Sequence, residues 1–330
     1  MNWQKGGLWI KFYGNNSLSL RVLNSTPLKQ FLLCLLLTTS IGFSQNYVDL
    51  FKFSNGYTFD NHFEGTEFST SVLSMEADLT LPVPINDKYV FVTGIGFTKN
   101  RLQLFPDAPF QNLYGTTLKI GLLTQYNEKW SSTLVLLPKV ASDYEQISTK
   151  DFYLGGFAMF KYQKRDNLIY RFGAYGSREA FGFFTTPIVG FYYLSPNNRF
   201  QMDVSFPIST DINYSFNKIT LGVDYYGIGR SFNITEELAP KVYVDLGSLE
   251  FSSYIQLNTF QKTVLLRLKA GYSSNDFEVY QQGDNIDLGL SAFTFGDDRK
   301  QLNPQINDGM FVRLEAIYRL RLPEKKEKND

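Results

Sequence analysis

Across 113–141 apolar and polar side chains alternate along two runs joined by the polar turn Asn127-Glu128-Lys129. On the first run Tyr114, Leu118, Ile120, Leu122 and Tyr126 share one face, and Gly115, Thr117, Lys119, Gly121 and Gln125 share the other. A period of two predicts β-strands. From Tyr114 to Tyr126 is about 12 steps of ~3.3 Å, and a tilt of roughly 40° leaves ~30 Å of height, the thickness of a bilayer's hydrocarbon core. Tyr114, Tyr126 and Trp130 then stand at the ends of the apolar face, where a transmembrane barrel carries its aromatic girdles.

The alternation recurs along the chain and predicts strands at 47–53, 71–81, 88–98, the two of 113–141, 151–163, 168–177, 186–194, 199–208, 218–230, 246–257, 262–273, 286–295 and 310–322. In 71–81, Leu73, Met75, Ala77, Leu79 and Leu81 oppose Ser74, Glu76, Asp78 and Thr80. In 310–322, Val312, Leu314, Ala316, Tyr318, Leu320 and Leu322 oppose Arg313, Glu315 and Arg319. Connections alternate between short (82–88, 127–129, 164–167, 195–198) and long (99–112, 142–150, 178–185), as periplasmic turns and outer loops do. Between 209 and 285 the alternation blurs, and 259–261 would be an unusually short outer loop.

The expected fold is therefore all-β: a closed antiparallel up-and-down transmembrane β-barrel of about 14 strands, with 12 or 16 left open by the blurred region. Closure follows from the solvent, because an unpaired strand edge in lipid costs several kcal/mol per group. A soluble sandwich or lipocalin-like barrel is the alternative, and strand length, strand number and aromatic ends speak against it.

Mean hydropathy is −0.20 and aromatics make up 16% of the 330 residues, too polar a chain for a helical membrane protein. Its one long apolar run, 31–37, follows Lys29 and precedes Gly42 and Ser44, the order of a secretory signal cleaved before Gln45. The chain then divides into an N-terminal extension and signal peptide (1–44), an outer-membrane barrel (45–322) and a charged tail (323–330). The extension before Lys29 is long for a signal, and translation is expected to start inside it, near Val22 or Leu23. Cys34 is preceded by Leu33, where lipidation wants a small residue, and its removal leaves the exported chain without cysteine. Lys plus Arg and Asp plus Glu balance at 32 each, falling to 28 against 32 after cleavage. Nothing in that balance calls for nucleic acid, and the expected partners are outer-membrane lipids.

Catalysis finds little support. The lone histidine, His62, falls in a predicted loop, so His-based nucleophilic machinery and multi-His metal sites have one residue to draw on. Gly94-Ile95-Gly96 and Gly227-Ile228-Gly229 precede no helix and are not phosphate loops. Asp297-Asp298 is at most a weak cation site in the last outer loop. The reading is a non-enzyme with no cofactor and no metal.

On strand faces opposite the apolar ones lie Glu76, Asp78, Lys119, Arg171, Asp203, Asp224, Glu250, Arg267, Lys269, Asp287, Arg313, Glu315 and Arg319, seven acidic and six basic candidates for a lumen. A sign-selective pore carries rings of one charge, whereas mixed signs pair across strands. The function expected is a passive channel or small-solute transporter with a narrow mixed-charge lumen. The alternative is a structural or surface-interaction barrel that binds a partner through outer loops 99–112 and 296–309.

Leu81-Pro82 after a long strand, Asn127-Glu128-Lys129-Trp130 followed by Leu137-Pro138-Lys139, and Lys269-Ala270-Gly271-Tyr272-Ser273 complete a pattern. With the signal, it resembles an uncharacterised family of outer-membrane β-barrel proteins common in Bacteroidetes-type bacteria. The resemblance implies fold and location, and carries no activity or catalytic residues.

Overall fold

The computed structural model describes residues 47–235 and 241–321; the expected signal segment, its cleavage site and the charged tail lie outside them. In chain order the strands are β1 (Tyr47–His62), β2 (Ser69–Pro84), β3 (Tyr89–Leu102), β4 (Gln111–Gln125), β5 (Trp130–Ser142), β6 (Phe152–Arg165), β7 (Leu168–Glu179) and β8 (Gly182–Leu194). They continue with β9 (Phe200–Phe206), β10 (Ser209–Phe216), β11 (Ile219–Ile234), β12 (Val242–Thr259), β13 (Val264–Gln281), β14 (Leu288–Leu290), β15 (Phe293–Phe295) and β16 (Gly309–Arg321). Each of β1 to β12 pairs antiparallel with the next, β13 pairs with β16, and β16 pairs with β1 from Tyr47↔Arg321 to Thr58↔Phe311. The ring is a closed antiparallel barrel of 14 strands, with β14 and β15 a small hairpin outside it.

The strand count agrees with expectation, and the assignment behind it differs in two places. Residues 209–216 form a barrel strand, paired with β9 and β11, whereas the sequence pattern reads them as connection. At 7 and 8 residues β9 and β10 fall short of the ~9–11 residues of a full transmembrane strand, and Ser209, Thr210, Asp211, Asn213 and Ser215 blur the apolar face. Conversely, 286–295 is not a barrel strand: Ser291 takes φ 54 and folds the stretch into the β14–β15 hairpin. Adding β10 shifts the parity, so 259–261 lies at the end that carries the short turns and both chain ends of the barrel. We call this the turn end and the opposite one the loop end. His62 is the exposed last residue of β1, not a loop residue.

Sequence alternation becomes an inside and an outside. Leu118, Ile120 and Leu122 of β4 are 47%, 46% and 37% exposed, and Leu134 and Leu136 beside them 58% and 52%. Phe51, Leu81, Leu154, Phe172, Val189, Val223, Phe251, Leu268 and Leu314 extend this exposed apolar surface around the ring. An apolar surface of that extent is what a barrel presents to hydrocarbon. At the turn end Tyr126 is 54% exposed, with its hydroxyl 2.9 Å from Ser132 Oγ, and Trp130 packs 4.8 Å from Tyr162 and 6.1 Å from Phe172 between ring centroids. Near the loop end Tyr114 stacks on Tyr144 at 5.2 Å.

Candidate functional site: the barrel interior and its cap

Twelve of the thirteen expected lumen charges lie on inward faces, and each meets an opposite charge. Near the turn end the Arg319 guanidinium forks onto Asp49 at 2.5 and 3.1 Å and lies 3.6 Å over the Tyr47 ring. Tyr47 in turn accepts from Gln201 Nε2 at 3.2 Å, a contact from β1 across the interior to β9. Lys269 sits between Asp224 (2.5 Å) and Glu315 (2.9 Å), and Arg267 between Asp211 (3.2 Å) and Glu315 (3.9 Å). Arg171 meets Asp203 at 2.5 Å and Lys119 meets Asp78 at 2.6 Å. Further toward the loop end Arg313 grips Glu250 through two 2.6 Å bonds, and Arg230 reaches from β11 to Glu76 on β2 at 2.9 Å. Arg319–Asp49 and the Glu315 pairs link neighbouring strands, whereas the others join strands two or more apart, where long side chains meet across the curvature of the ring.

Asp287 is the exception and a correction. It is exposed in the connection before β14, and its N–H donates to Phe295 O at 3.0 Å, because the stretch around it is a surface hairpin and has no lumen face. Several interior partners were not among the expected residues. Asp211 belongs to the unrecognised β10, Arg230 is the last residue of its predicted strand, and Asp49, which shares the parity of outward Phe51 and Phe53, turns inward through the register shift between Asp49 and Phe51. The alternation already placed Lys139 opposite Leu134 and Leu136 and could have found it.

Beyond Ser209↔Tyr226, its last pair with β10, β11 stays paired with β12 as far as Ile234↔Val242 while its free edge bends across the interior to β5, where Asn233 pairs with Ser142. Asp143 N donates to Asn233 O at 3.1 Å, and the Asp143 carboxylate accepts from Thr235 N at 2.6 Å. The Asn233 side chain donates to Lys150 O at 2.8 Å and Asp151 Oδ1 at 3.0 Å. One face of this crossing segment, Phe232 and Ile234, joins a buried cluster that includes Phe63, Leu102, Leu113, Leu246 and Phe277. The other face carries Ser231, bound to Glu179 of β7, which also meets Lys139 at 2.5 Å. The loop end is thus capped by an apolar core. With ~1.5–3 kcal/mol for each large apolar side chain buried, pulling the whole cap out costs on the order of 10 kcal/mol or more.

The connection after β13 is fastened to this cap through Arg299, whose side chain is 3% exposed. It bonds Asp245 at 2.9 Å and Tyr243 OH at 3.0 Å and lies 3.9 Å over the Tyr280 ring. It also forks onto Asp297 at 2.9 Å, and these hydrogen bonds hold the Asp297 carboxyl below the usual carboxylate range. Between cap and ion pairs a cavity of about 30 Å³ remains, bordered by Glu76, Arg230, Glu250, Arg313, Ser248 and Asn275, a space of the size of one water. No group of three or more metal-ligating side chains occurs among the described residues.

A family model described as a domain of unknown function (DUF6268) matches residues 99–275, more than half of the chain. Nothing among curated proteins matches the sequence. Among solved structures the chain is similar to the toluene transporter TodX of Pseudomonas putida, with 10% identity, TM-score 0.33, and 82% of this chain and 89% of that one covered. It is also similar to the β domain of the Bordetella autotransporter BrkA, with 12% identity, TM-score 0.29, and 83% and 100% covered. The third is OccAB4 of Acinetobacter baumannii, with 10% identity, TM-score 0.27, and 82% and 97% covered. These likenesses concern the barrel fold alone.

Proposed function

The chain belongs to that family of unknown function, and we propose that it is an outer-membrane β-barrel acting as a passive channel for small solutes, closed along its axis in this conformation. The observation that carries the reading is the filling of the interior by sign-balanced ion pairs. Buried ion pairs are not a stabilising substitute for apolar side chains of equal volume, so a barrel that only had to stand in the membrane would be as well served by an apolar filling. A charged, narrow lining instead supports a hydrated path once the cap gives way, and its balanced signs imply weak ion selectivity. The exposed apolar surface supports membrane insertion, and segment 1–44, cleaved before Gln45, would direct export. A mature N-terminus upstream of residue 40 would remove that export route.

Planar-bilayer recording and liposome swelling test the reading together. The native protein is expected to give little or weakly selective conductance, and variants with a loosened cap to conduct and swell more. Large, strongly selective steps from the native protein would overturn the closed lumen. Permeation by none of the variants would leave a structural barrel, a reading favoured by the packing of the cap.

A further inference from the structure

Between β8 and β11 the wall is assembled differently from the rest of the ring. The β9–β10 hairpin enters from the turn end and stops early: Phe206 lies opposite Val189, while β8 continues to Gly182. Val189 stands five residues above Leu194, the turn-end residue of β8; at ~3.3 Å per residue and roughly 40° of tilt the hairpin's tip is ~13 Å up, about half the hydrocarbon height. Above it, β14–β15 enters from the loop end, with β14 running parallel to β8 over only two register pairs, Gly289↔Phe184 and Leu290↔Thr185. The two hairpins point toward each other along β8, one reaching Val189 and the other Thr185, with Pro187, which has no N–H to offer a neighbour, between them. β15 pairs only with β14 in the sheet, and β11 has already turned inward behind it.

Three of the four most exposed large apolar side chains among the described residues surround this seam: Phe293 at 67%, Val189 at 65% and Phe206 at 63%. On the inner side one ring fills it. Phe184 packs against Gly229 of β11 and Gly289 of β14, where an added Cβ would come within 3.7 and 2.8 Å of the ring, and its centroid is 6.3 Å from that of Tyr175. On the outer face beside the β9–β10 tip, a groove of about 390 Å³ across β10 to β13 is lined by Ile212, Val223, Tyr225, Phe251 and Ala270, with Thr210, Asp224, Ser252 and Ser253 also bordering it. That volume falls at the lower end of small-ligand sites, and the groove is continuous with the apolar surface that faces hydrocarbon.

We propose that this seam is a gated lateral site for the acyl chain of a bilayer lipid. The chain lies in the outer groove and takes the place of the Phe184 ring over Gly229 when the ring and the β14–β15 hairpin move aside. The mouth is sealed by a large core. The side is sealed by the Phe184 ring, two register pairs, the bonds from Ile286 N–H to Phe181 O (2.8 Å) and from Ser291 N–H to Thr185 O (2.9 Å), and the seating of Ile286 in a four-residue cluster. This is a smaller set of contacts, so the wall opens here before it opens at the cap. The site rests on the membrane reading above, and it deepens that reading by giving the barrel a route that bypasses the cap.

The test uses Tyr175→Trp as a reporter beside the ring, in the full chain with Trp3, Trp9 and Trp130, its only tryptophans, changed to Phe. The protein is reconstituted in bilayers of phosphatidylcholine brominated along the acyl chain, with heat-dependent gel migration confirming a folded barrel. Quenching of the reporter is expected to rise roughly twofold in Phe184→Ala, as the open population grows. It should fall below the native level when Thr185→Cys and Leu290→Cys, Cα partners in the ladder and so within disulfide reach, are oxidised. Equal quenching in all three overturns the proposal, and so does quenching by a brominated free alkane alone. If Phe184→Ala does not fold, Phe184→Leu against the clamped variant carries the same comparison. Arabinose swelling of vesicles of the same composition separates the two readings. A quenching change without swelling sustains the lateral site and removes the channel, and swelling without a quenching change does the reverse.

Discussion

One carboxylate oxygen of Glu179, on the wall strand β7, accepts from both the N–H (3.1 Å) and the hydroxyl (2.8 Å) of Ser231 on the strand that crosses the mouth. Its other oxygen takes Lys139 Nζ at 2.5 Å and Ser177 Oγ at 2.6 Å. Glu179 is 5% exposed, so a single buried carboxylate ties the cap to the wall.

Glu179→Ala removes all four contacts at once and leaves the Lys139 ammonium without its partner. Losing one member of a buried pair costs ~3–5 kcal/mol, and the loss falls on the crossing segment. The expected outcome is a lower midpoint in urea unfolding of the detergent-solubilised protein, together with more frequent conductance events. Glu179→Gln, which can still accept from Ser231, should lie between the two. A variant with native unfolding and native conductance would show that the apolar core alone holds the cap.

Arg313 and Glu250 make the best-formed pair of the interior, two parallel bonds of 2.6 Å with side chains 10% and 11% exposed. Either single change, Arg313→Met or Glu250→Met, strands a charge and should cost ~3–5 kcal/mol, whereas the double change should recover most of it. Urea unfolding of the four proteins closes the cycle. A double variant as unstable as the sum of the singles would mean that the two residues are not coupled.

The architecture was legible because a barrel wall repeats one physical rule, outward apolar and inward polar with a period of two. The middle stretches 118–122 of β4 and 312–316 of β16 follow it, whereas Leu113 and Ala141 put apolar side chains on the inward parity where the cap sits. It failed where the chain stops serving as wall. The polar run 209–216 is too short and too hydrophilic to announce a strand, and Leu288, Leu290, Phe293 and Phe295 alternate like a strand until Ser291 turns the chain. Lumen charges could be assigned from parity alone, but their partners could not, since the meeting of Arg230 with Glu76 depends on ring closure and on the inward course of β11. The cap instead departs from the wall rule: on β11 Phe232 and Ile234 share the inward parity of Thr220, Asp224 and Arg230, so apolar side chains stand where the wall would carry polar ones.

Asp297 sits in the connection after β15, and its hydrogen bonds from Arg299 hold its folded pKa below the usual value. A carboxyl lowered in this way contributes stability above its unfolded pKa of ~3.9 and loses that contribution as pH falls through the folded value. Protection of 288–299 against hydrogen exchange should therefore be constant from about pH 5 to 8 and drop at pH values below ~4. In Asp297→Asn the acid-dependent part of that drop should be absent. An identical acid response in both proteins would assign the loosening to other carboxylates.

Leu136, midway along β5 and 52% exposed, pairs with Ile120 and Gly156 on its two sides. In water an exposed leucine can become arginine at little cost, typically within about 0.5 kcal/mol. Facing the bilayer midplane, the same change costs ~2–4 kcal/mol, because the guanidinium must leave water or drag it into the hydrocarbon. Lys139, three residues along the same strand, already carries a charge but points inward to Glu179. Parity and solvent, rather than exposure, should thus decide the outcome. Leu136→Arg is expected to lower stability in lipid vesicles by this larger amount while leaving the folded gel migration recognisable. A neutral Leu136→Arg would mean that this face of the barrel meets water, and the membrane reading would fall with it.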